Sequence, residues 1–204
     1  MEQTLLAARA LFAERGYSAV TMDEIAASVG VTKPLLYNYF GNKEQLYIAC
    51  MERAGDSLTA TVGDAVAAGA SPGDALGAGV RAFFSFLDSD RAAWAVLFDE
   101  TLPRGGEVAD RVASHRGRIL ELVSASMLAR QAEGRRDAAR TEIEALSVAL
   151  LGAAEALARW WLRTEALSAE GAAELLIATI EPGLFARSGE FSASRHPRVG
   201  MTSR

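Results

Sequence analysis

The chain has 204 residues, with 21 Lys or Arg and 26 Asp or Glu, which gives a formal net charge of −5. Half of the residues are apolar, so the chain is not disordered throughout, and it is long enough to bury a sizeable core in one large or two small domains. The acidic net charge argues against a nucleic-acid partner, because proteins that bind nucleic acids are usually basic. The single cysteine, Cys50, excludes an internal disulfide framework.

The sequence pattern predicts an all-α protein of about nine helices. The chain has only five prolines, its long segments are rich in the strongest helix formers, and strand-forming residues never alternate with polar ones. In chain order the predicted helices are 3–15, 21–29, 33–39, 43–68, 73–88, 91–100, 107–132, 138–165 and 169–187.

The composition also predicts the domain organisation. Short helices and tight turns give way to long alanine-rich helices near residue 47. We therefore predict a three-helix N-terminal domain over 1–47, a larger helical body over 48–187 and a disordered tail over 188–204. No stretch reaches about 18 uncharged apolar residues, so no membrane-spanning helix is expected. With no signal peptide in view, we predict a cytoplasmic protein.

The pattern over residues 21–40 points to a function. Thr21 and Glu24 have the spacing of a capping box at the start of one short helix. Thr32 is a suitable N-cap for the next helix, with Pro34 in its first turn. The turn at Gly30 between them is typical of a helix-turn-helix, which holds its second helix outward for the major groove of DNA.

The outward face of this second helix suits DNA. Thr32 and the free N–H groups of the first turn favour a phosphate, Tyr37 and Tyr39 offer hydroxyls to phosphate oxygens, and Asn38 can read an adenine edge. The spacing of a helix-turn-helix is by itself a weak signal of DNA binding, because many all-helical proteins contain such a pair of helices. Tyrosines near a helix end often only pack against the core.

The segment from residue 7 to residue 49 resembles the N-terminal domain of TetR-family transcriptional regulators. The segment contains four motifs of that family. Their residues are Leu11, Phe12, Gly16 and Tyr17 in the first, Thr21, Ile25 and Ala26 in the second, Gly30, Val31 and Thr32 in the third, and Leu36, Tyr37, Phe40, Lys43 and Leu46 in the fourth. The resemblance implies a DNA-binding regulator, most commonly a repressor, that a small-molecule effector releases from a palindromic double-stranded DNA operator.

The predicted DNA contacts follow from the helix face and the resemblance together. They are Thr21, Thr32, Lys33, Pro34, Leu35, Tyr37, Asn38, Tyr39 and Lys43. Pro34, Leu35 and Asn38 depart from the residues most frequent in the family, so the operator sequence does not carry over, and Leu35 offers a contact to a thymine methyl group.

The body is rich in aromatic residues, which have two interpretations. A bundle of this size needs a core, and an aromatic stripe at helical spacing more often belongs to the core than to a binding site. The alternative is a mostly apolar effector pocket between helices. Its predicted wall is Phe84, Trp94, Phe98, Met127 and Trp161, and the candidate polar groups are Asp99, Glu100, His115 and Arg159.

The resemblance further implies a homodimer through the last two long helices, which pair across a two-fold axis as a four-helix bundle. Its apolar content would come from Leu146, Leu150, Leu151, Leu175, Leu176, Ile180 and Phe185. The small residues at 152–154 and 156 permit close helix packing, which also occurs within a single chain.

An enzyme on a helical bundle is the alternative class. There are only two histidines, His115 and His196, and no metal-binding helix motif, phosphate-binding glycine loop or nucleophile elbow is present. In a helix, Cys50 is more typical of a small buried hydrophobe than of a nucleophile. We therefore predict no catalysis, no metal and no cofactor. A purely structural dimer is a third class, which would not bind an operator.

Overall fold

The computed structural model describes residues 2–69, 72–98, 105–129 and 136–190. Within them lie nine α-helices and no strand, which confirms the predicted all-α class. The helices are α1 Glu2–Arg15, α2 Met22–Ser28, α3 Lys33–Phe40, α4 Lys43–Ala68, α5 Pro72–Ser89, α6 Arg91–Leu97, α7 Glu107–Leu128, α8 Arg136–Thr164 and α9 Ala169–Glu190.

The helix boundaries differ from the predicted ones chiefly at three C-termini. Helix α6 ends at Leu97, because the Phe98 N–H bonds the Trp94 carbonyl as a C-cap, and α7 ends at Leu128 rather than 132. Helix α9 continues to Glu190, three residues into the predicted tail. The rest of that tail, 191–204, lies outside the described residues.

The N-terminal domain is built around a small aromatic cluster. The ring of Tyr47, from α4, meets Phe12 edge-on at 4.9 Å and Tyr17 at 5.0 Å between ring centroids. The turn between α2 and α3 requires Gly30, whose φ of +68° lies in the left-handed region that favours glycine. This turn sets α3 across α2 and leaves one side of α3 facing outward.

Helix α4 connects this domain to the body. Its buried side chains run from Leu46 to Val62, and along this length it packs against α1, α5, α6 and α7. Helix α1 also packs directly on α6. The buried residues of both predicted domains therefore form one continuous apolar core.

Helix α8 contains a long, predominantly apolar stretch. By length and composition alone, Ala139–Thr164 would suit a membrane span. One face of this helix is buried against α7 and α9, while the exposed side carries Glu144, Arg159 and Arg163 as well as apolar residues. Charges of this kind are rare on a lipid-facing surface, and the face packed against α7 and α9 accounts for part of the apolar composition.

Candidate nucleic-acid interface and ligand groove

The start of α2 is fixed by a complete capping box. The Thr21 hydroxyl accepts a hydrogen bond from the Glu24 backbone N–H at 3.3 Å, and the Thr21 N–H donates to Glu24 Oε2 at 2.9 Å. Arg15 of α1 donates to the other Glu24 oxygen at 2.7 Å and to the Ala19 carbonyl at 3.2 Å. The box therefore also ties α2 to α1 and to the intervening loop.

This network makes domain stability dependent on acid pH. Hydrogen bonds from Arg15 and Thr21 lower the pKa of Glu24 from 4.5 to about 2, so its carboxylate stabilises the fold above about pH 4.5, and this contribution is lost as the pH falls toward 2. We expect Glu24→Gln to have a slightly lower melting temperature than the wild type at pH 7, with the difference closing between pH 4.5 and 2. Glu14→Gln, an exposed change on α1, is the control and should show no such closing gap in thermal melts.

The outward face of α3 carries most of the predicted DNA contacts. Leu36 is the one fully buried residue of this helix, with 1% of its surface exposed, whereas Tyr37 is 40% and Tyr39 57% exposed. The Thr32 side chain makes no capping hydrogen bond, so its hydroxyl and the first-turn N–H groups are open to an anion. Lys33, Pro34, Leu35 and Asn38 are also exposed.

The cations of the domain are all engaged within the protein. In residues 2–47, Lys33 pairs with Asp23 at 2.8 Å, Arg15 with Glu24, and Arg9 with Asp90 of the body at 2.8 Å. The Lys43 ammonium donates to the Tyr17 and Val20 carbonyls at 3.0 and 3.1 Å and lies over the Tyr17 ring. Lys43 thus anchors the loop before α2, a role that its position in the sequence did not indicate.

Two polar contacts join this domain to helix α6 of the body. The buried Tyr47 hydroxyl donates to the Val96 carbonyl at 2.7 Å. The Arg9–Asp90 pair is largely buried, and Asp90 is at the same time the N-cap of α6, accepting from the Ala93 N–H. These contacts connect α6 directly to α1 and α4. Burial raises the pKa of the nearby Cys50 thiol to about 12, which suits an inert core residue.

The five residues predicted to form the pocket wall lie in packed contacts. The fully buried Phe84 ring meets Trp161 edge-on at 5.7 Å, and Trp94 stacks on Phe98 at 3.9 Å. Met127 is buried beside the Ser147 hydroxyl at 3.5 Å. Of the candidate polar groups, Asp99 and Glu100 lie outside the described residues.

An apolar groove opens beside this aromatic cluster, between α4, α5, α7 and α8. Its empty volume, including the open mouth, is about 580 Å³. It is lined by Val62, Val66, Leu76, Gly79, Val80, Phe83, Ile119, Val123, Ser126, Leu150, Leu151 and Ala154. None of the five predicted wall residues lines it, although Phe83 is in ring contact with both Phe84 and Trp94. Ser126 carries the one polar side chain of this lining.

His115 lies at the contact between α7 and α4. Its buried ring faces Gly55, where an added Cβ would overlap the ring, and Arg118 contacts its Nδ1. Burial and the Arg118 charge lower the pKa of His115, which favours the neutral ring. The histidine thus fills a close approach of two helices, and it is not among the residues that line the groove.

The outer side of α8 and α9 exposes large apolar side chains. Val148 of α8 is 54% exposed and Leu175 of α9 is 50% exposed. Trp160 is also exposed, and exposed small residues stand between Val148 and Trp160 in the sequence of α8, at 149, 152 and 156. We name Val148, Trp160 and Leu175 the outer apolar face.

Comparison with known proteins decides the family. Residues 5–50 match the model of bacterial regulatory proteins of the tetR family, and residues 72–181, more than half of the chain, match that of the tetracyclin repressor-like C-terminal domain. The chain belongs to the TetR family. The family's members are transcriptional regulators, a class distinct from enzymes, and the predicted resemblance is confirmed.

Relatives of this TetR-family chain extend across its length. It is 38% identical over 110 residues to the transcriptional activator FasR of Mycolicibacterium smegmatis. The aligned region is 54% of this chain and 50% of that relative, so the chain matches only about half of the relative's length. A TetR-like regulator from Rhodococcus sp. RHA1 is 30% identical, with a TM-score of 0.75 over 90% of the chain and 94% of the other. FadR from Bacillus subtilis in complex with stearoyl-CoA is 18% identical, with a TM-score of 0.75 over 88% and 96%, and shares the fold.

Proposed function

We propose that this chain is a cytoplasmic repressor that binds a palindromic operator as a homodimer and is released from it by a small apolar or amphipathic effector. The observation that carries the proposal is helix α3, which buries Leu36 and turns an exposed row of hydroxyl, amide and aromatic groups outward. Such a row on the second helix of a helix-turn-helix suits the major groove.

The proposed DNA contacts divide into two kinds. The Thr32 hydroxyl, the first-turn N–H groups, Tyr37 and Tyr39 bind phosphates and position the helix, whereas Leu35 and Asn38 contact base edges. Thr21, Lys33, Pro34 and Lys43 flank this set. Lys43 has two of its three ammonium hydrogens committed to backbone carbonyls, so its contribution to DNA binding is mainly to hold the loop before α2.

The outer apolar face supports the homodimer. Val148 and Leu175 are about half exposed in the single chain, and a second copy across a two-fold axis buries both sets at once. The two α3 helices of such a dimer address half-sites about one helical turn apart, which is why the operator is palindromic.

The groove supports an apolar effector. Its almost wholly aliphatic lining, with Ser126 as a polar group, is typical of small-molecule sites. Since FadR from B. subtilis is described in complex with stearoyl-CoA, an acyl chain is the effector class that we propose. The acyl chain would contact Phe83, whose ring lies 6.4 Å from that of Trp94 of α6, measured between centroids.

The effector acts by shifting a conformational population. Helix α6 lies between the groove and the DNA-binding domain, through Phe83 and Trp94 on one side and through the Tyr47–Val96 and Arg9–Asp90 contacts on the other. An effector that binds more tightly to the state with one position of α6 also favours the spacing of the two α3 helices in that state. The size of the shift is set by the ratio of its affinities for the two states.

Gel shifts with DNA flanking the protein's own gene test the interface. We expect Tyr39→Phe to weaken operator binding by roughly 30-fold, because each lost hydrogen bond costs about 1 kcal/mol and the dimer loses two. Leu6→Ala, an exposed change on α1 of the same domain, should retain wild-type affinity. Unchanged binding of Tyr39→Phe, with an unchanged circular dichroism spectrum, would refute this contact. Reporter expression that rises on deletion of the protein would support repression over activation.

A further inference from the structure

A second, smaller apolar space lies next to the groove. Its empty volume, including its open side, is about 250 Å³, and it is bounded by α5, α8 and α9. Among the described residues, its lining from α9 is Leu176, Ile177 and Ile180, and the rest of its lining is aliphatic or glycine. A space with such a lining suits the methyl end of an apolar chain better than a charged head group.

One layer of side chains separates the two spaces. Leu76, Val80 and Leu150 line the groove on one side and the smaller space on the other. Leu76 and Val80 are four residues apart, so they lie on one face of α5, and Leu150 faces them from α8. Val80 and Leu150 are buried. We name these three residues the partition.

We infer that the partition sets the length of the acyl chain that the protein accepts. A shorter chain ends in the groove against these three side chains, whereas a longer chain must displace them to place its methyl end in the space beneath α9. This inference rests on the proposed function of the groove as the effector site, and it assigns chain-length specificity to residues on α5 and α8.

The alternative occupants of the smaller space are less compatible with its lining. A charged head group would be poorly solvated there, because no donor or acceptor side chain among the described residues lines the space. A branched or ring-shaped ligand would have to widen a gap bounded by three helices, and the axes of packed helices usually lie only about 8–10 Å apart. A single linear chain needs only side-chain rotation at the partition.

The test is the affinity of each protein for saturated fatty acids from octanoate to stearate, measured by isothermal titration calorimetry. Each buried methylene raises affinity about 4-fold, so affinity rises with length until the chain meets the partition. Leu150→Ala removes three carbon atoms, and we expect it to extend the rising part of the series by about three methylenes, or about 50-fold for the longest chains. Val80→Leu should shorten the series.

The matched control is Ile143→Ala, a buried change on α8 that lines neither space. It should leave the preferred length unchanged. Because the comparison is made within each protein's own series, a general loss of stability does not alter it, and Leu150→Val replaces Leu150→Ala if the latter does not fold.

The outcomes separate the two proposals. If the wild type binds none of the fatty acids, both the effector site and the partition are refuted. If the wild type binds them and both Leu150→Ala and Val80→Leu keep the wild-type preference, the partition alone is refuted and the effector site is retained. A preference shifted toward longer fatty acids in Leu150→Ala and toward shorter ones in Val80→Leu supports the inference.

Discussion

Replacing Leu175 by glutamate is expected to convert the proposed dimer into a folded monomer and to lower operator affinity by roughly 10²–10⁴-fold. Leu175 is 50% exposed in the single chain, so the substitution adds little cost to folding of the protomer. In the dimer it places two carboxylates in an apolar contact, where their desolvation opposes association. Each protomer then holds one α3 helix alone and loses the gain from binding two half-sites together.

Sedimentation equilibrium and gel shifts on the same samples measure this effect. Ala67→Glu introduces the same charge at an exposed position near the end of α4, and it should remain dimeric with wild-type affinity. A Leu175→Glu protein that stays dimeric at low micromolar concentration would show that the outer apolar face is not the interface. A monomer with undiminished operator affinity would instead contradict the need for two recognition helices.

Filling the groove with Ser126→Phe is expected to abolish the response to the effector. The added ring buries apolar surface worth about 1.5–3 kcal/mol, and an acyl chain must displace it, so effector affinity falls by about 10- to 100-fold. The unfolding temperature without effector should be equal or higher. Operator binding should persist and no longer decrease when the acyl chain is added.

The neighbouring position supplies the control for this experiment. Ala125 precedes Ser126 on α7 but is exposed, so Ala125→Phe adds the same ring outside the groove and should respond to the effector as the wild type does. The measurements are thermal shift and gel shift, each with and without palmitate. An unimpaired response of Ser126→Phe would place the effector elsewhere in the body.

The helix-turn-helix was predictable because its signals are local. Thr21 and Glu24 form the predicted capping box, Gly30 adopts the positive φ that its turn needs, and Leu36 is buried as its spacing indicated. Each of these properties depends on residues within about one turn of the chain. The order and number of helices follow from the same local preferences.

The groove was not predictable because it is defined by what four helices leave unfilled. Aromatic residues attract attention in a sequence, yet Phe84 and Trp161 fill the core, and the groove is lined mainly by Val, Leu and Ile from α4, α5, α7 and α8. The anchoring role of Lys43 was not predictable for a related reason. Its sequence neighbours do not include Tyr17 and Val20, whose carbonyls it binds across more than twenty residues.

The internal pairing of Arg9, Arg15, Lys33 and Lys43 has a consequence for the search for the operator. DNA phosphates must compete with partners already in place, so fewer counterions are released per bound dimer, and operator affinity declines gently as ionic strength rises. Binding to random sequence is almost wholly electrostatic, so we expect the rest of the chromosome to bind this protein weakly. A small number of molecules should then be enough to occupy the proposed operator.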